Sequence, residues 1–261
     1  MKIPANLQPW FRVLLFSLSA NLSLAFVRHF CTKRVATVLS QQGPSSSVSD
    51  LRKEYSEKGI TDNDPCIQNG PIAFFKAWFD EACAANVLEP NAMCLSTCSN
   101  NIPTARMVLM KGYDDRGFVW YTNYNSRKSA DIAANPHAAA TFWWGDLERS
   151  IRIEGSAEKV SAEESDEYFN SRPRGSQIGA WTSSQSSSIE GREQLEEQER
   201  QILQKFSDPA VPVPRPPHWG GYRLVPKRVE FWKGRKSRLH DRITFGRESD
   251  SEAWQATRLQ P

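Results

Sequence analysis

The residues of this chain best suited to chemistry are cations set close together with aromatic and imidazole groups. In Phe231–Arg242, FWKGRKSRLHDR, the cations Lys233, Arg235, Lys236 and Arg238 precede Arg242, with Trp232, His240 and Asp241 among them. The run before it, Gly221 to Trp232, has the β-branched and aromatic content of a strand, and Gly234 is where that strand should break. Beyond the break an exposed turn is expected, and alternation then sets Arg238, His240 and Arg242 on one side of an extended segment. Cations held on one side of a rigid element suit an anionic ligand, because a guanidinium can grip phosphate or carboxylate with two parallel hydrogen bonds. An edge strand blunted by charge has the same composition. Trp232 and His240 within the same stretch favour a site.

Four further clusters carry similar chemistry. In Ala105–Lys111, alternation sets Arg106 opposite Met107, Leu109 and Lys111. A lysine ending an apolar strand face must reach out to water or meet an anion. Tyr121, Thr122 and Asn123, followed by Ser126, Arg127 and Lys128, place hydroxyls and two cations at a helix start, where the backbone N–H groups and the helix dipole favour phosphate. A solvated helix start would look the same. Tyr168, Arg172 and Ser176 put a phenol, a guanidinium and a hydroxyl around a helix end, and Gln185-Ser186 lies in a serine-rich turn that says little alone.

Positioning these groups requires a sheet. Successive strands are expected over Ala92–Ser99, Thr104–Tyr113, Phe118–Asn123, Ala138–Trp144 and Arg149–Val160, separated by tight turn signals. Such spacing argues for an antiparallel sheet closing on itself rather than βαβ units, and the chain has no glycine-rich dinucleotide fingerprint. Helices are expected at Asp50–Tyr55, from Pro71 with Ile72, Phe75, Phe79 and Ala82 on one stripe, at Ser126–Ala134, from Ser161, and over Glu190–Phe206.

At 261 residues the chain can build one substantial core with appendages. The net charge of +3 is unevenly placed, for no acid precedes Asp50, while Lys2, Arg12, Arg28, Lys33 and Arg34 do. Without those five, 28 cations face 30 acids, so bulk charge does not suggest a nucleic-acid binder. The acid-free, Ser- and Arg-containing leader resembles an organelle transit peptide, for a mitochondrion or plastid; Arg12 before the apolar run Val13–Val27 also fits a secretory signal. That run is short for a membrane span, which needs roughly 20 residues. None of Cys31, Cys66, Cys83, Cys94 and Cys98 forms a CxxC pair, which disfavours a zinc site or disulfide framework. Buried free thiols are expected at Cys94 and Cys98, and a reducing compartment for the body.

In order, the chain carries ARMVLMKGY, YTN with SRK, YFNSRPRGSQIGAW, QSS, WGGYRL, EFWKG and RLHDR. Each motif is weak alone; the ordered set, from about Leu51 to the closing Arg258-Leu-Gln-Pro261, resembles the pyridoxine/pyridoxamine 5′-phosphate oxidases. The resemblance implies a mainly β protein with flanking helices, an antiparallel FMN-binding split β-barrel, working as a homodimer with each flavin at the subunit interface. A leader and Ser-rich linker would occupy 1–49 and the FMN-binding domain 50–261. FMN contacts are implied at Arg106, Met107, Val108, Leu109, Lys111, Tyr121, Thr122, Arg127, Lys128, Gln185, Ser186, Trp232 and Arg242, with Arg127 and Lys128 on the FMN phosphate. The substrate phosphate would meet Lys111, Tyr168, Arg172 and Ser176. Arg238, Leu239 and His240 would close over the pyridine ring, with Arg238 and His240 the catalytic pair. Arg52 and Tyr55 match an N-terminal segment that covers the site in some relatives.

The implied reaction is oxidation of pyridoxine or pyridoxamine 5′-phosphate to pyridoxal 5′-phosphate. Hydride leaves the substrate's 4′ carbon for the flavin, and dioxygen is reduced to hydrogen peroxide, so the chain needs no nucleophile of its own. No nucleic acid or membrane partner is implied. One departure stands out: Ser150 occupies a position where such proteins usually carry a flavin-contacting Gln. Two other readings are a split-barrel FMN oxidoreductase with a different substrate and a non-catalytic vitamer-binding protein.

Overall fold

Aromatic side chains from one helix and from both faces of a strand corner set the centre of this molecule. The computed structural model describes residues 47–51, 53–249 and 251–261. The chain separates into two units between Lys53 and Glu54. In the described part of the first, Ser47 caps a short turn of 3-10 helix, Val48–Asp50. The helix expected over Asp50–Tyr55 is not seen, since among the described residues no helix follows Asp50 until Pro65. A charged segment of that length has no apolar stripe to back it, and short helices are marginal without tertiary support. The acid-free leader up to residue 46, and Arg52, lie outside the described residues.

In the unit Glu54–Pro261 the described strands are β1 (Ala92–Ser99), β2 (Ile102–Leu109), β3 (Gly112–Asp114), β4 (Gly117–Asn123), β5 (His137–Trp144), β6 (Arg149–Lys159), β7 (Trp219–Lys233), β8 (Asp241–Gly246) and β9 (Gln255–Leu259). Their pairings are antiparallel, in the order β2-β1-β5-β6-β7-β4-β3, with β8 on β7 and β9 on β8. The strand expected over Thr104–Tyr113 is two, β2 and β3, parted by Met110 and Lys111. These two stand at opposite ends of the strand order, and the Lys111 amide donates to the Val119 carbonyl of β4 at 2.8 Å. The chain thus brings both ends of the sheet to one corner.

The helices are α1 (Pro65–Gln68), α2 (Gly70–Ala84), α3 (Arg127–Ala134), α4 (Ala162–Ser171), α5 (Arg174–Thr182) and α6 (Arg192–Lys205). Pro71 sits in the first turn of α2, as expected. Its buried stripe is Phe74, Phe75, Trp78 and Ala82, while Ile72 and Phe79 are only half-buried. The stripe is rotated because Phe74 stacks on Phe231 of β7, with ring centroids 4.2 Å apart, and Trp78 meets the same ring edge-on. Each such fully buried side chain contributes about 1.5–3 kcal/mol through area removed from water.

The faces of β2 are the reverse of a simple apolar-in reading. Met107 is 66% exposed, whereas Arg106 lies on the side of its buried register partner Leu95. Met107, Cys94, Thr141, Arg152 and Glu230 form one row across β2, β1, β5, β6 and β7 on the outer face. Trp143 on β5 is likewise 57% exposed. Cys94 and Cys98, expected as buried thiols, are half-exposed free cysteines, because no element among the described residues fully covers that face.

Candidate functional site

Between the outer side of β2, the edge of β4 and helices α3, α4 and α5 lies a cleft of about 1010 Å³. Arg106, Met107, Val108, Leu109, Lys111, Tyr121, Thr122, Arg127, Lys128, Tyr168, Arg172, Ser176, Gln185 and Ser186 all line it. Residues drawn from six separate stretches of sequence therefore converge on one space. β2 supplies one wall, and the start of α3 supplies another, with Ser126 as its N-cap residue. The Ser126 hydroxyl does not cap the helix; it accepts from Lys128 Nζ at 3.0 Å.

Lys128 is the most unusual cation of the cleft. Its side chain is buried, and Nζ donates to Thr122 Oγ1 (2.9 Å), Gln185 Oε1 (2.9 Å) and Ser126 Oγ. All three acceptors are neutral, so burial, with the nearby Arg106 guanidinium, pulls the ammonium down to about 8. Arg127 and Lys111 reach the cleft as exposed side chains. Arg106 behaves differently: Nη1 donates to Leu95 O and Thr97 Oγ1, Nη2 to Thr104 Oγ1, and Asp131 of α3 lies 3.6 Å away. Asp131 in turn accepts from both threonines, a network the sequence did not announce because it joins the β1–β2 pair to α3, with Thr97 and Asp131 34 residues apart.

The opposite wall is aromatic. Tyr168 stacks on Tyr121 with centroids 3.9 Å apart, and Tyr121 stacks on Trp219 at 5.5 Å. A Cβ at Gly221 would fall 2.8 Å from the Tyr121 ring, so the Gly-Gly pair of β7 makes room for this stack. Burial, reinforced by Glu164, pushes the Tyr121 phenol up to about 12. The Arg172 guanidinium lies 4.7 Å over Trp219, and its buried Nη1 has no hydrogen-bond partner. Burial lowers its proton affinity, against the pull of Tyr168. Trp219 was not singled out from sequence, although the WGGYRL motif contained it.

Trp232, Arg238, Leu239, His240 and Arg242 do not line this cleft. Trp232 and Ser150 border a separate depression of about 330 Å³ with Thr141, Trp143, Arg152 and Glu230. His240 packs 4.7 Å from the Trp232 ring, and Tyr55 meets both rings edge-on, at 5.5 and 5.8 Å. His240 Nδ1 accepts from the Arg235 amide, and burial, with Arg238 nearby, lowers the imidazole's proton affinity. Arg242 is gripped by the buried Glu230 through Nε (2.8 Å) and Nη2 (3.1 Å). The expected alternation of Arg238, His240 and Arg242 along one extended face does not occur. Lys236–Arg238 form a tight turn in which Ser237 and Arg238 adopt left-handed φ of 56° and 61°, and only Arg242 lies in a strand. Arg238 and Leu239 are exposed on that turn.

A family model described as pyridoxamine 5′-phosphate oxidase matches residues 79–205, and one described as the pyridoxine 5′-phosphate oxidase C-terminal dimerisation region matches 219–261. A pyridoxine/pyridoxamine 5′-phosphate oxidase of Burkholderia lata is 52% identical over 218 residues, covering 83% of this chain and 100% of that protein. Its counterpart in Rubrobacter xylanophilus is 50% identical over 223 residues, 84% of this chain and 99% of that one. Among solved structures, PhzG from Burkholderia lata in complex with tetrahydrophenazine-1-carboxylic acid is 30% identical, with a TM-score of 0.71 over 79% of this chain and 100% of that one. A pyridoxamine 5′-phosphate oxidase-related FMN-binding protein of Nostoc punctiforme shares the fold, at 16% identity and a TM-score of 0.59 over 74% of this chain and 98% of that one. With half of its residues identical along the whole length of such relatives, the chain belongs to the pyridoxine/pyridoxamine 5′-phosphate oxidase family.

Proposed function

We propose that this protein is an FMN-dependent oxidase of pyridoxine and pyridoxamine 5′-phosphates, forming pyridoxal 5′-phosphate. The observation that carries this reading is a pair of cations in one cleft, Lys128 and Arg172, both without a carboxylate partner among the described residues. Lys128 holds a buried charge on neutral acceptors alone, and Arg172 keeps a buried N–H unsatisfied. A buried charge without a counter-ion is costly, and a phosphate would satisfy each. The donor set therefore fits FMN at the α3 end, with Lys128 and Arg127 on its phosphate and the Thr122 and Gln185 oxygens orienting the ammonium. At the α4 end, Arg172, Tyr168 and Ser176 fit a second phosphate, that of the substrate.

FMN held there would supply the hydride acceptor and the route to dioxygen, with hydrogen peroxide released. The chain's own part is alignment: the Tyr121–Tyr168 stack forms a flat wall, and the two phosphate grips fix the distance between the rings. Trp232, Arg238, His240 and Arg242 would join from a second copy. Met107 and Glu230 stand four strand spacings apart in one row, about 19 Å along the sheet at roughly 4.8 Å per strand, so one chain holds two separated half-sites. A two-fold axis could set the far half of one copy against the cleft of the other. The match of 219–261 to a dimerisation region and the exposed Met107 and Trp143 support this.

A second reading, a related FMN oxidoreductase acting on another substrate, draws on the likeness to PhzG. Arg172 with Ser176 favours a phosphorylated substrate. The test is a flavin spectrum of the purified protein with peroxide release on adding pyridoxamine 5′-phosphate. Release with the phosphate ester but not with unphosphorylated pyridoxamine is expected; no release with either would overturn the reading. For the segment before Asp50 we infer organelle import, on its acid-free composition alone.

A further inference from the structure

Glu148 is a buried acid in an unusual backbone conformation that no step of the oxidation uses. It follows the turn Gly145–Leu147 at φ 54°, a left-handed position that a non-glycine residue holds at some cost. Its Oε2 accepts from the Ser56 amide (3.0 Å), the Ser56 hydroxyl (2.7 Å) and Lys233 Nζ (3.1 Å). Lys233 ends β7 one residue after Trp232, and its ammonium also donates to Leu147 O. Burial alone would raise the carboxyl, but these donors hold it down to about 2.

Ser56 directly follows Tyr55, whose ring lies edge-on to both Trp232 and His240. Downstream, the Ile60 amide donates to Asp241 Oδ2 at 3.0 Å, and Arg258 Nη2 donates to the Ile60 carbonyl at 2.7 Å. The segment Glu54–Ile60 carries no helix or strand, so side-chain latches decide where it lies. The latch nearest Tyr55 is Glu148. We propose that Glu148 is a positioning residue which, through Ser56, pins Tyr55 against His240 and Trp232. This inference rests on the proposed function only in assigning those two rings to the half-site that a second copy brings to the cleft.

The test uses the full chain with Glu148→Ala, Glu148→Gln, Tyr55→Ala and the Glu148→Ala/Tyr55→Ala double variant. Limited trypsin digestion, read by mass at Lys58, reports the latch directly whether or not the protein turns over. Cleavage at Lys58 should quicken at least about tenfold in Glu148→Ala and stay near wild type in Glu148→Gln, which keeps an acceptor for Ser56 while losing the charge facing Lys233. With pyridoxamine 5′-phosphate, Glu148→Ala should raise KM about tenfold, and the double variant should go no further than Tyr55→Ala alone. Unchanged cleavage at Lys58, or a double variant whose KM effects add, would overturn the proposal and leave Glu148 a support of the β6–β7 corner. Wild-type protein with no oxidase turnover would sink the proposed function, while the digestion would still decide the latch.

Discussion

The cleft and the Trp232 corner hold similar numbers of cations but treat them in opposite ways. At the corner, acids of the same chain meet them: Arg242 and Arg152 share Glu230, Lys233 has Glu148, and Asp241 takes Arg235 and Arg258. In the cleft, Lys128 rests on neutral oxygens and Arg172 lies over an indole ring with Nη1 unpaired. Arg106 there has Asp131 at 3.6 Å, and the same carboxylate feels Arg127. A cation paired within its own chain is held in a preset position; a buried cation left without an acid suits a charge from outside. On the proposed reading the cleft takes the anions and the corner offers preassembled geometry.

That division can be broken first at Lys128. Lys128→Met removes the buried charge, and FMN affinity should fall by up to about a hundredfold, the upper end for one charge-assisted contact. Flavin fluorescence titration reads it; an unchanged Kd would return Lys128 to a structural role. The same contact carries a pH signature. The ammonium is charged below about 8, so FMN affinity should decline as pH rises through that value. Stability of the FMN-free protein runs the other way. The folded state releases this proton near 8 and the unfolded chain near the ordinary 10.5, so folding gains from this group between those values.

Arg172→Ala should raise KM for the phosphorylated substrate roughly tenfold to a hundredfold and leave flavin bound, because Arg172 lines the cleft from the α4 end, apart from the Lys128 cluster at α3. Steady-state kinetics beside a flavin spectrum separates the two effects, and equal loss of both would merge the two phosphate positions into one. At the corner, Arg238→Ala should lower kcat/KM with FMN affinity near normal, since Arg238 stands exposed on its turn. Arg242→Ala should weaken FMN first, with excess FMN partly restoring turnover. The smallest effect is expected from removing the leader: a chain beginning near Ser45 should fold, bind FMN and turn over within about twofold of the full chain, because the family resemblance begins only near Leu51. Loss of flavin in that shortened chain would assign the leader a part in the site.

Much of this was legible in sequence where one physical rule acted alone. The Ser161 cap of α4, the stop after Lys233 and the Pro71 start of α2 are local signals, and each stands where its residue type requires. The cleft residues were legible as an ordered set of motifs, although their meeting in one space depends on β2 and β4 lying at opposite walls. Misreadings arose where tertiary contacts outrank local pattern. The expected fully buried Cys94 and Cys98 lie instead on the outer face of β1, because the register sets Cys94 beside the exposed Met107. Arg238 looks like part of a strand but sits in a left-handed turn. Trp219, Glu148 and Asp131 were invisible as site residues because a single aromatic or acid has no local signature.

The central claim is that each working site takes its cleft from one copy and its Trp232 corner from another. Hybrid dimers test it most directly. Two separately tagged chains, one Lys128→Met and the other Arg242→Ala, are co-expressed, and the mixed species is isolated through both tags. If the halves come from different copies, one site of the hybrid carries both changes and the other carries neither, so turnover should reach about half that of wild type. Each parent alone should stay far below that level at limiting FMN. A hybrid no more active than its parents would mean that each chain completes its own site, and the account of two half-sites would be wrong.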